Sequence, residues 1–419
     1  MWTYSYKFFL ERRFSAGRRI VAWLAFFSIF FTNSVIYSSI ISYAENDSSY
    51  ETLSDNDLYA LSAVLMDGEN GRILYDKAGD EVRANASTTK ILTCILALEY
   101  GNIDDTVPVS AYAEKMPDVQ LNMKEGEEYI LEDLLYSLML ESHNDSAVAI
   151  AEHISGSVTA FADLMNEKAK EIGCTSTHFI TPNGLDAEDE CGIHGTTARD
   201  LALILRYCIS LSPKKEIFLK ITETASYSFT NVSGTRSFTC TNHNSFLNMM
   251  DGAFTGKTGF TGNAGYCYVG ALERDGHIFI VALLACGWPN NKTYKWSDTK
   301  KLMNYGINNY GETEISDEMT DAISVNVKVS QDTKDNICME LKSSFSYNLM
   351  LREDEQISFK YIFPEEMSAP VKEGTQAGSV LIYIDDYLYD IEPLYTTLEI
   401  KEMTFYDYLE DVASKFFAI

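Results

Sequence analysis

Hydrophobic and polar positions predict a mixed α/β region in the first two thirds of the chain. Alternating runs indicate strands at Tyr59–Met66 and Arg72–Tyr75, and residues 67–71 form a good turn sequence between them. The almost wholly apolar run at 91–100 predicts a buried helix. From about 103 to 210, apolar residues recur at helical spacing, which predicts a large helical insertion.

Strands return after this insertion, at Gly265–Leu272 and Ile278–Cys286, with a turn between them. A further helix is predicted over 297–310, with Ser297 as its N-cap. From about residue 315 the pattern changes to short β-type runs, at 323–329, 337–342, 357–363 and 379–400. The pattern therefore predicts an α/β (α+β) body of about 260 residues followed by a small all-β sandwich.

The first 44 residues have the layout of an export signal. A basic stretch ends at Arg19, an apolar run follows at 20–31, and Ser42-Tyr43-Ala44 has small residues where a signal peptidase reads them. The alternative is an uncleaved membrane anchor, because 20–43 is long enough to cross a bilayer. With either arrangement we expect an exported protein at the outer face of the cell membrane or in the cell wall. Residues 45–57 then form a polar linker.

The last segment, 403–419, predicts an amphipathic helix. Its apolar residues fall on one helical stripe, formed by Phe405, Tyr408, Leu409, Val412, Phe416 and Ile419. Such a helix is suited to a membrane interface. Acidic residues outnumber basic ones nearby, and anionic lipid repels them, so a helix packed on its own domain is the alternative interpretation.

The charge of the chain disfavours nucleic-acid binding. The 419 residues carry 33 Lys+Arg against 61 Asp+Glu, a formal net charge of −28. Because the first 44 residues contribute +4, the remainder carries −32. Binding to nucleic acid rests on clustered Lys and Arg that release counterions, and an acidic body does not offer them.

The eight cysteines and six histidines are dispersed along the chain. No Cys-x-x-Cys and no Cys/His pair at zinc spacing occurs. Several cysteines, such as Cys94 and Cys286, lie in apolar runs where cysteine behaves as a small buried hydrophobe. The sequence therefore predicts no metal site and no cofactor, and it does not resemble a disulfide scaffold, although it leaves individual disulfides open.

Three Ser-x-x-Lys matches occur, at Ser87/Lys90, Ser212/Lys215 and Ser297/Lys300. The second is followed by Pro213 and predicts an exposed loop, and the third opens a helix that we expect to be solvated. Only Ser87 opens an almost wholly apolar helix. Positions i and i+3 share one helical face, which brings the Lys90 amine to the Ser87 hydroxyl.

This pairing suits nucleophilic catalysis. A serine hydroxyl is a poor nucleophile until a base takes its proton. A lysine is such a base only when neutral, and burial and a neighbouring cation both favour the neutral form. Backbone N–H groups at the same helix start are suited to stabilise an oxyanion. Without these features, the motif is an ordinary helix start.

Two more motifs lie further along the chain. Ser142-His143-Asn144 separates two apolar helices; it is either a polar turn or a source of a proton-relaying hydroxyl and an amide that orients Lys90. Lys257-Thr258-Gly259 lies in a glycine-rich strand region. It is either a hairpin with a solvated lysine or a fixed cation for a substrate carboxylate, with Gly259 leaving room for a peptide backbone. A phosphate loop is excluded, because the Walker pattern requires glycine where this chain has Asp251.

Taken together, these three motifs are characteristic of class A β-lactamases and penicillin-binding proteins. With the further strings FITPNGL at 179–185, HGTTARDLA at 194–202 and KTGFT…AGYC at 257–267, the chain resembles the low-molecular-weight penicillin-binding proteins of the D-alanyl-D-alanine carboxypeptidase family. The resemblance implies a β-lactamase/transpeptidase-like domain at 58–312, with an antiparallel sheet flanked by helices. It also implies that 313–402 is the family's small C-terminal β-sandwich.

The resemblance implies a role for each motif. Ser87 attacks the D-Ala–D-Ala bond of peptidoglycan stem pentapeptides with Lys90 as general base, and water then hydrolyses the acyl-enzyme. Ser142 and Asn144 assist proton transfer and positioning. Lys257 and Thr258, beside Gly259, bind the terminal carboxylate, and the N–H groups of Ser87 and Phe260 form the oxyanion hole. β-Lactams acylate Ser87 as covalent inhibitors, and a membrane surface is the other expected partner, through the N-terminal segment or the C-terminal helix.

The chain departs from the family pattern at two places. His143 stands where the family usually has glycine, and Gly276-His277 stand where the next strand often has an arginine. A β-lactamase is the nearest alternative, but no Glu-x-x-Leu-Asn segment follows the second motif, and β-lactamases lack the β-sandwich. A catalytically silent wall scaffold or β-lactam sensor is a further alternative, against which intact Lys90 and Ser142 argue. Transpeptidase or endopeptidase activity would use the same residues.

Overall fold

The structure is a computed structural model that describes residues 34–41, 52–117, 119–329 and 336–417. These residues form two compact units, one within 50–309 and one that combines 34–41 with 310–417. The strands are, in chain order, β1 Ser34–Ile41, β2 Ser62–Asp67, β3 Ile73–Lys77, β4 Thr106–Pro108, β5 Glu128–Ile130, β6 Glu188–Asp189, β7 Gly192–Ile193, β8 Ser226–Thr230, β9 Ser237–Thr241, β10 Ala253–Thr261, β11 Gly265–Arg274, β12 His277–Leu284, β13 Tyr310–Ser316, β14 Ile323–Lys328, β15 Asn336–Lys342, β16 Ser346–Arg352, β17 Ile357–Pro364, β18 Glu366–Ser368, β19 Gln376–Ile384 and β20 Tyr387–Thr396.

The α-helices are α1 Lys90–Tyr100, α2 Ala111–Glu114, α3 Leu131–Tyr136, α4 Asn144–Ser155, α5 Val158–Ile172, α6 Ala198–Arg206, α7 Lys215–Glu223, α8 Tyr294–Asn309 and α9 Phe405–Phe417. Short 3₁₀ turns occur at Asp55–Asp57, Ala86–Thr89, Ser245–Asn248 and Asp317–Met319, and π turns at Ser137–Glu141 and Tyr207–Leu211. Among the described helices, none is long and apolar enough to cross a membrane.

The first unit is built on a five-stranded antiparallel sheet with strand order β10-β11-β12-β2-β3. Both of its faces are covered. On one face, Ile280 and Ala282 join the main hydrophobic cluster with helices α1 and α6. On the other, α8 lies so close that a Cβ at Gly306 would meet Phe279 at 2.8 Å and Leu65 at 2.9 Å. Residues on both faces of β12 are therefore buried, which explains its continuous apolar run.

Helices α1 to α7 lie between β3 and β10 in the chain, as the helical pattern predicts. Helix α1 lies within the core: nine of its eleven residues, Lys90–Leu98, are buried. The predicted turn between β11 and β12 is confirmed. Asp275 and Gly276 have φ of 54° and 86°, the two left-handed residues that a two-residue hairpin turn requires.

The second unit is a small β domain around its own hydrophobic cluster. One seven-stranded sheet has the order β1-β17-β19-β20-β15-β14-β18, and β13 and β16 form a two-stranded ribbon whose Ile315, Leu349 and Leu351 join the same cluster. In β14 buried and exposed residues alternate along ISVNVK, as a half-buried strand requires. The expected small all-β domain is confirmed, with one large sheet and a ribbon as its two parts.

Three local expectations differ from the structure. Helix α8 begins at Tyr294, because the N–H groups of Trp296 and Ser297 donate to Thr293 O; Ser297 is therefore inside the helix and is not its cap. Residues 310–316 form β13 directly after this helix. Residues 34–41, within the predicted signal or anchor, form β1 and pair with β17. Four of these eight residues are Val or Ile, which favour strands. The apolar run at 20–31, the site after Ala44 and most of the 45–57 linker lie outside the described residues.

Candidate active site

Ser87 lies in the 3₁₀ turn Ala86–Thr89, which leads directly into the buried helix α1. Side chains fix this turn. The Asn85 amide donates to the hydroxyls of Thr88 at 3.2 Å and Thr89 at 2.9 Å, and those hydroxyls donate to the carbonyls of Asn85 and Ala86. The predicted helix start is therefore a rigid, buried turn that holds the Ser87 hydroxyl at one edge.

Lys90 is fully buried, and its amine contacts three groups. Nζ lies 2.8 Å from Ser87 Oγ, from Asn144 Oδ1 and from the carbonyl oxygen of Asn183. Burial, assisted by the charge of Lys257, lowers the pKa of Lys90 well below its usual value, although Asp145 opposes this. A neutral amine donates two hydrogen bonds and keeps one lone pair. Asn144 and Asn183 accept those two, so the lone pair is directed to the Ser87 proton.

The second motif follows the π turn Ser137–Glu141. Ser142 adopts the left-handed conformation, with φ of 67°, and Asn144 begins α4 with its amide nitrogen 3.1 Å from the Pro117 carbonyl. His143 is buried beside Ser137, with Nδ1 2.8 Å from the hydroxyl, and burial lowers its pKa. The unusual His143 therefore packs behind the motif and is not among the residues that line the cleft.

Lys257 brings the third motif to the same place. Its Nζ donates to Ser142 Oγ and to the Thr258 carbonyl, both at 3.0 Å. The side chain is 3% exposed, and burial lowers the pKa of Lys257 to about 7. Ser87 Oγ contacts the Lys90 amine and Ser142 Oγ contacts the Lys257 amine, so each hydroxyl has its own amine.

Two glycines allow the backbone around Ser87 to pack closely. A Cβ at Gly259 would lie 2.9 Å from Ser87 N and 3.0 Å from Asn85 O. Gly184 has φ of 81°, and a Cβ there would lie 1.9 Å from Ala86 O. Strand β10 and the loop at Gly184 therefore pack against the Ser87 turn from two directions. A side chain at Gly259 or Gly184 would push the corresponding segment away from this turn.

The predicted residues surround a cleft of about 320 Å³, which is lined by Ser87, Ser142, Lys257, Thr258, Gly259 and Phe260 among others. Phe260 is 43% exposed at its rim. The deeper Lys90 and Asn144 meet the cleft through Ser87. A larger cavity of about 610 Å³ lies between Leu61 and Trp288, but it contains none of the three motifs. Because the three motifs meet at the smaller cleft, we identify it as the candidate active site.

Several residues of the site have no motif of their own. Asn183 supplies the third contact of Lys90, and His194 secures the loop that carries it. His194 Nδ1 accepts from the Ile180 N–H at 2.9 Å, and Nε2 lies 2.9 Å from the Thr89 hydroxyl. Burial lowers the pKa of His194 to about 4, so the ring stays neutral. Asn183 lies in the string at 179–185 and His194 in the string at 194–202. The family resemblance of these two strings was the only indication in the sequence that either residue belongs to the site.

Lys295 is the other lysine of the cleft wall. It is 7% exposed, and its Nζ lies 4.8 Å from the ring centre of Tyr266 and 4.7 Å from that of Trp296. Gly276 and His277, which stand where the family often has an arginine, lie at the β11–β12 turn and do not line the cleft. Lys295 was not predicted as a site residue, because the helix was expected to begin after it, at Ser297.

Neither of the two other Ser-x-x-Lys serines lines this cleft, and the surroundings of both differ from expectation. Ser212 is 3% exposed and donates to Glu99 at 2.6 Å, so the predicted exposed loop is wrong there. Ser297 is half-buried within α8, and the adjacent Asp298 is buried and accepts from the Ala60 N–H. In both cases a polar partner inside the fold compensates for burial.

Two family models match the chain. The model of D-alanyl-D-alanine carboxypeptidase matches residues 49–286, more than half of the sequence, and that of the penicillin-binding protein 5 C-terminal domain matches residues 319–402. The chain belongs to the D-alanyl-D-alanine carboxypeptidase family.

Individual relatives agree with this assignment. The D-alanyl-D-alanine carboxypeptidase DacF of Bacillus subtilis is 28% identical over 359 residues, which are 84% of this chain and 88% of that protein. The D-alanyl-D-alanine carboxypeptidase of Streptomyces sp. K15 is 33% identical, over 59% of this chain and 87% of that protein. A solved structure of penicillin-binding protein 5 from Haemophilus influenzae has a TM-score of 0.64 at 25% identity, over 84% of this chain and all of that one.

The family resemblance, the fold class and the enzyme class predicted from the motifs are therefore confirmed. The chain is a D-alanyl-D-alanine carboxypeptidase of the serine peptidase type.

Proposed function

We propose that Ser87 is the nucleophile that removes the terminal D-alanine from peptidoglycan stem pentapeptides ending in D-Ala–D-Ala. The observation that carries this assignment is the 2.8 Å contact between Ser87 Oγ and the amine of a fully buried Lys90. Burial and the neighbouring Lys257 lower the pKa of Lys90, which makes its amine available as a base.

The first half-reaction is acylation. Lys90 Nζ takes the Ser87 proton while Oγ bonds to the carbonyl carbon of the penultimate D-alanine. The N–H groups of Ser87 and Phe260 stabilise the oxyanion; the Ser87 N–H lies in the first turn of a helix, where backbone donors have no helical partner. The C–N bond then breaks. The proton held by Lys90 returns to the leaving amine, with the Ser142 hydroxyl as relay, and D-alanine departs.

The second half-reaction is hydrolysis of the resulting ester. Lys90 takes a proton from water, the hydroxide attacks the acyl carbon, and the proton returns to Ser87 Oγ as the shortened peptide leaves. Asn144 holds Lys90 in place throughout, through the 2.8 Å contact of its carbonyl oxygen. Lys257 and Thr258 bind the terminal carboxylate of the substrate, and Gly259 lets its backbone lie against β10.

β-Lactams, which mimic the D-Ala–D-Ala dipeptide, would acylate the same hydroxyl. Incubation of the full chain with penicillin should add one penicilloyl mass, and peptide mapping should assign it to Ser87. Ser87→Ala should form no adduct. Ser297→Ala is the matched control, because it removes the serine of another Ser-x-x-Lys match and should leave adduct formation unchanged. An adduct on Ser87→Ala would contradict the assignment of the nucleophile.

The enzyme is proposed to act outside the cytoplasm, where its wall substrate lies. Residues 1–44 would direct export, either as a cleaved signal, which would remove β1, or as an anchor, which would keep it. Residues 45–57 would be a linker, and 58–312 would be the peptidase domain. Residues 313–402 would be a separate module. The two compact units, one within 50–309 and one that combines 34–41 with 310–417, support a boundary near residue 310. The amphipathic helix at 403–419 would lie on the membrane.

Support for the membrane contact comes from α9. Every residue of this helix whose side chain is described is exposed, including Phe405 at 73%, Phe416 at 75% and Phe417 at 85%. Ile419 lies outside the described residues. Large apolar side chains that remain exposed on one helix are suited to a lipid interface, which favours that interpretation over a helix packed on its own domain.

A further inference from the structure

Three side chains with metal-binding atoms meet on the surface of the first unit, outside the cleft. His178 Nε2 lies 2.9 Å and 3.0 Å from the two carboxylate oxygens of Asp189. Cys191 completes the group, and one ligand atom from each residue lies within 4.8 Å of the other two. All eight cysteines are free thiols, and Cys191 is one of two that are exposed.

The backbone holds these three residues together. Asp189 and Cys191 lie on the tight β6–β7 hairpin, in which Asp189 pairs with Gly192. The Cys191 N–H donates to Asp189 Oδ1 at 2.8 Å. His178 forms an isolated antiparallel β-bridge with Gly195, which follows β7, through two backbone hydrogen bonds of 2.9 Å. The three side chains therefore converge from paired backbone, which fixes their relative positions.

This donor set selects one class of cation. A thiolate, an imidazole and a carboxylate suit Zn²⁺ and related thiophilic ions, whereas Mg²⁺ and Ca²⁺ prefer oxygen ligands alone. A tetrahedral Zn²⁺ holds such ligands about 3.2–3.8 Å from one another, a spacing within the spread observed here. The flanking Asp186, Glu188 and Glu190 are exposed and add negative charge around the hairpin.

We propose that His178, Asp189 and Cys191 bind a thiophilic divalent cation of the Zn²⁺ class. Binding releases the thiol proton of Cys191, and neutral His178 binds through Nε2 while its single ring proton lies on Nδ1. One thiolate and one carboxylate balance the charge of the ion, and water fills the fourth position. Separations of 11 and 13 residues between His178 and the other ligands match no common zinc spacing, which is why the sequence does not predict this site.

The ion would brace the active-site loop. Between its ligands the chain passes through Asn183, whose carbonyl accepts from Lys90, and Gly184, which packs under Ala86. Closing the ring from residue 178 to 191 restricts the loop that supplies this contact. The competing interpretation is an exposed His–Asp ion pair with an incidental thiol, and such surface pairs contribute little to stability.

Alkylation of the reduced full chain distinguishes the two interpretations within one molecule. Iodoacetamide modification is followed by peptide mapping, with and without stoichiometric Zn²⁺. We expect Zn²⁺ to slow modification of Cys191 at least about tenfold, because the free thiolate is the nucleophile and a thiolate bound to the ion is not free to react. Cys338, the other exposed thiol, should react at the same rate in both samples. Asp189→Asn and His178→Gln should each abolish the protection of Cys191.

Cobalt absorption provides a second measurement. Co²⁺ should produce a thiolate-to-metal charge-transfer band in the unsubstituted chain and in Cys338→Ser, but not in Cys191→Ser. His153→Gln removes another His–Asp pair, whose Nε2 lies 3.2 Å from Asp105 Oδ2, and should retain the band. Absence of protection, equal protection of both thiols, protection that persists in Asp189→Asn, or a cobalt band in Cys191→Ser would each overturn the proposal.

Discussion

At the scale of single residues, the site depends on two buried lysines with opposite requirements. Lys90 must be neutral to accept the Ser87 proton, and Lys257 must be charged to bind a carboxylate. Both lie in low-dielectric surroundings that disfavour the charged form. Lys90 is the deeper of the pair, with its three contacts all made to protein groups. Lys257 lines the cleft, where a substrate carboxylate can restore its charge.

These requirements predict a bell-shaped dependence of kcat/KM on pH. As pH falls through the lowered pKa of Lys90, the base becomes protonated and activity is lost. As pH rises through about 7, the pKa of Lys257 in the free enzyme, the cation is lost and binding weakens. We therefore expect a descending limb near neutral pH in the hydrolysis of a D-Ala–D-Ala peptide.

Lys257→Arg tests which group causes that limb. Arginine stays protonated, so the descending limb should disappear, while kcat/KM at the optimum falls by about tenfold because the guanidinium has a different shape. His243→Gln is a suitable control, since His243 is an exposed titratable residue at the cleft. A descending limb that persists in Lys257→Arg and disappears in His243→Gln would show that the assignment to Lys257 is wrong.

At the scale of secondary-structure elements, the close approach of β10 to the start of α1 aligns the Ser87 N–H with the cleft. Gly259 makes this approach possible. A Cβ there would lie 2.9 Å from Ser87 N and 3.0 Å from Asn85 O, which is closer than van der Waals contact. Gly262 directly follows the same strand, and a Cβ at that position would meet no atom within 4 Å. Replacing each glycine by alanine therefore distinguishes a steric clash at Gly259 from a general effect of removing a glycine near β10.

Gly259→Ala should push β10 away from the Ser87 turn. A displacement of about 1 Å at a reacting group lowers rates by about a hundredfold, so we expect acylation by a fluorescent penicillin to slow by one to two orders of magnitude. Gly262→Ala should be acylated at the same rate as the unsubstituted chain. Both rates are measured by stopped-flow quenching, with thermal unfolding as the check on folding. Equal rates for Gly259→Ala and Gly262→Ala would contradict the steric account.

Only some of the site residues could be predicted from the sequence pattern of their elements. The motifs predicted Ser87, Lys90, Asn144 and Lys257 as one site, because local spacing and element type determine where each lies. The carbonyl of Asn183 was not predictable in this way, since any residue offers a carbonyl and only the fold brings this one to Lys90. The left-handed Ser142 likewise depends on a π turn, for which the helical pattern contains no signal.

At the scale of the whole molecule, the long-range pairings were the least predictable. Residues 34–41 pair with β17, more than 300 positions away, and no local pattern indicates that partner. By contrast, the division into a mixed unit and a β unit follows from a change in hydrophobic period near residue 315. The exposed helix α9 ends the described chain and supports the proposed contact with a membrane.

Vesicle binding tests the proposed role of α9. The chain from residue 34 onward, which lacks the apolar run at 20–31 but keeps β1, should co-sediment with lipid vesicles. Replacing both Phe416 and Phe417 by serine in it should lower the bound fraction at least about tenfold, given roughly 1.5–3 kcal/mol per buried aromatic side chain. Tyr387→Ser is the matched control, since Tyr387 is 82% exposed on β20. Release of D-alanine from a soluble peptide should be unchanged in all three proteins. Unaltered sedimentation of the double variant would exclude α9 as the anchor.

The most direct test of the central claim is D-alanine release from a soluble tripeptide that ends in D-Ala–D-Ala. The full chain and Ser297→Ala should release D-alanine at equal rates, whereas Ser87→Ala should lose at least about a thousandfold in kcat/KM, as removal of a nucleophile does in other serine hydrolases. Release that persists in Ser87→Ala, or a folded chain that neither releases D-alanine nor forms a penicillin adduct, would contradict the assignment of this site.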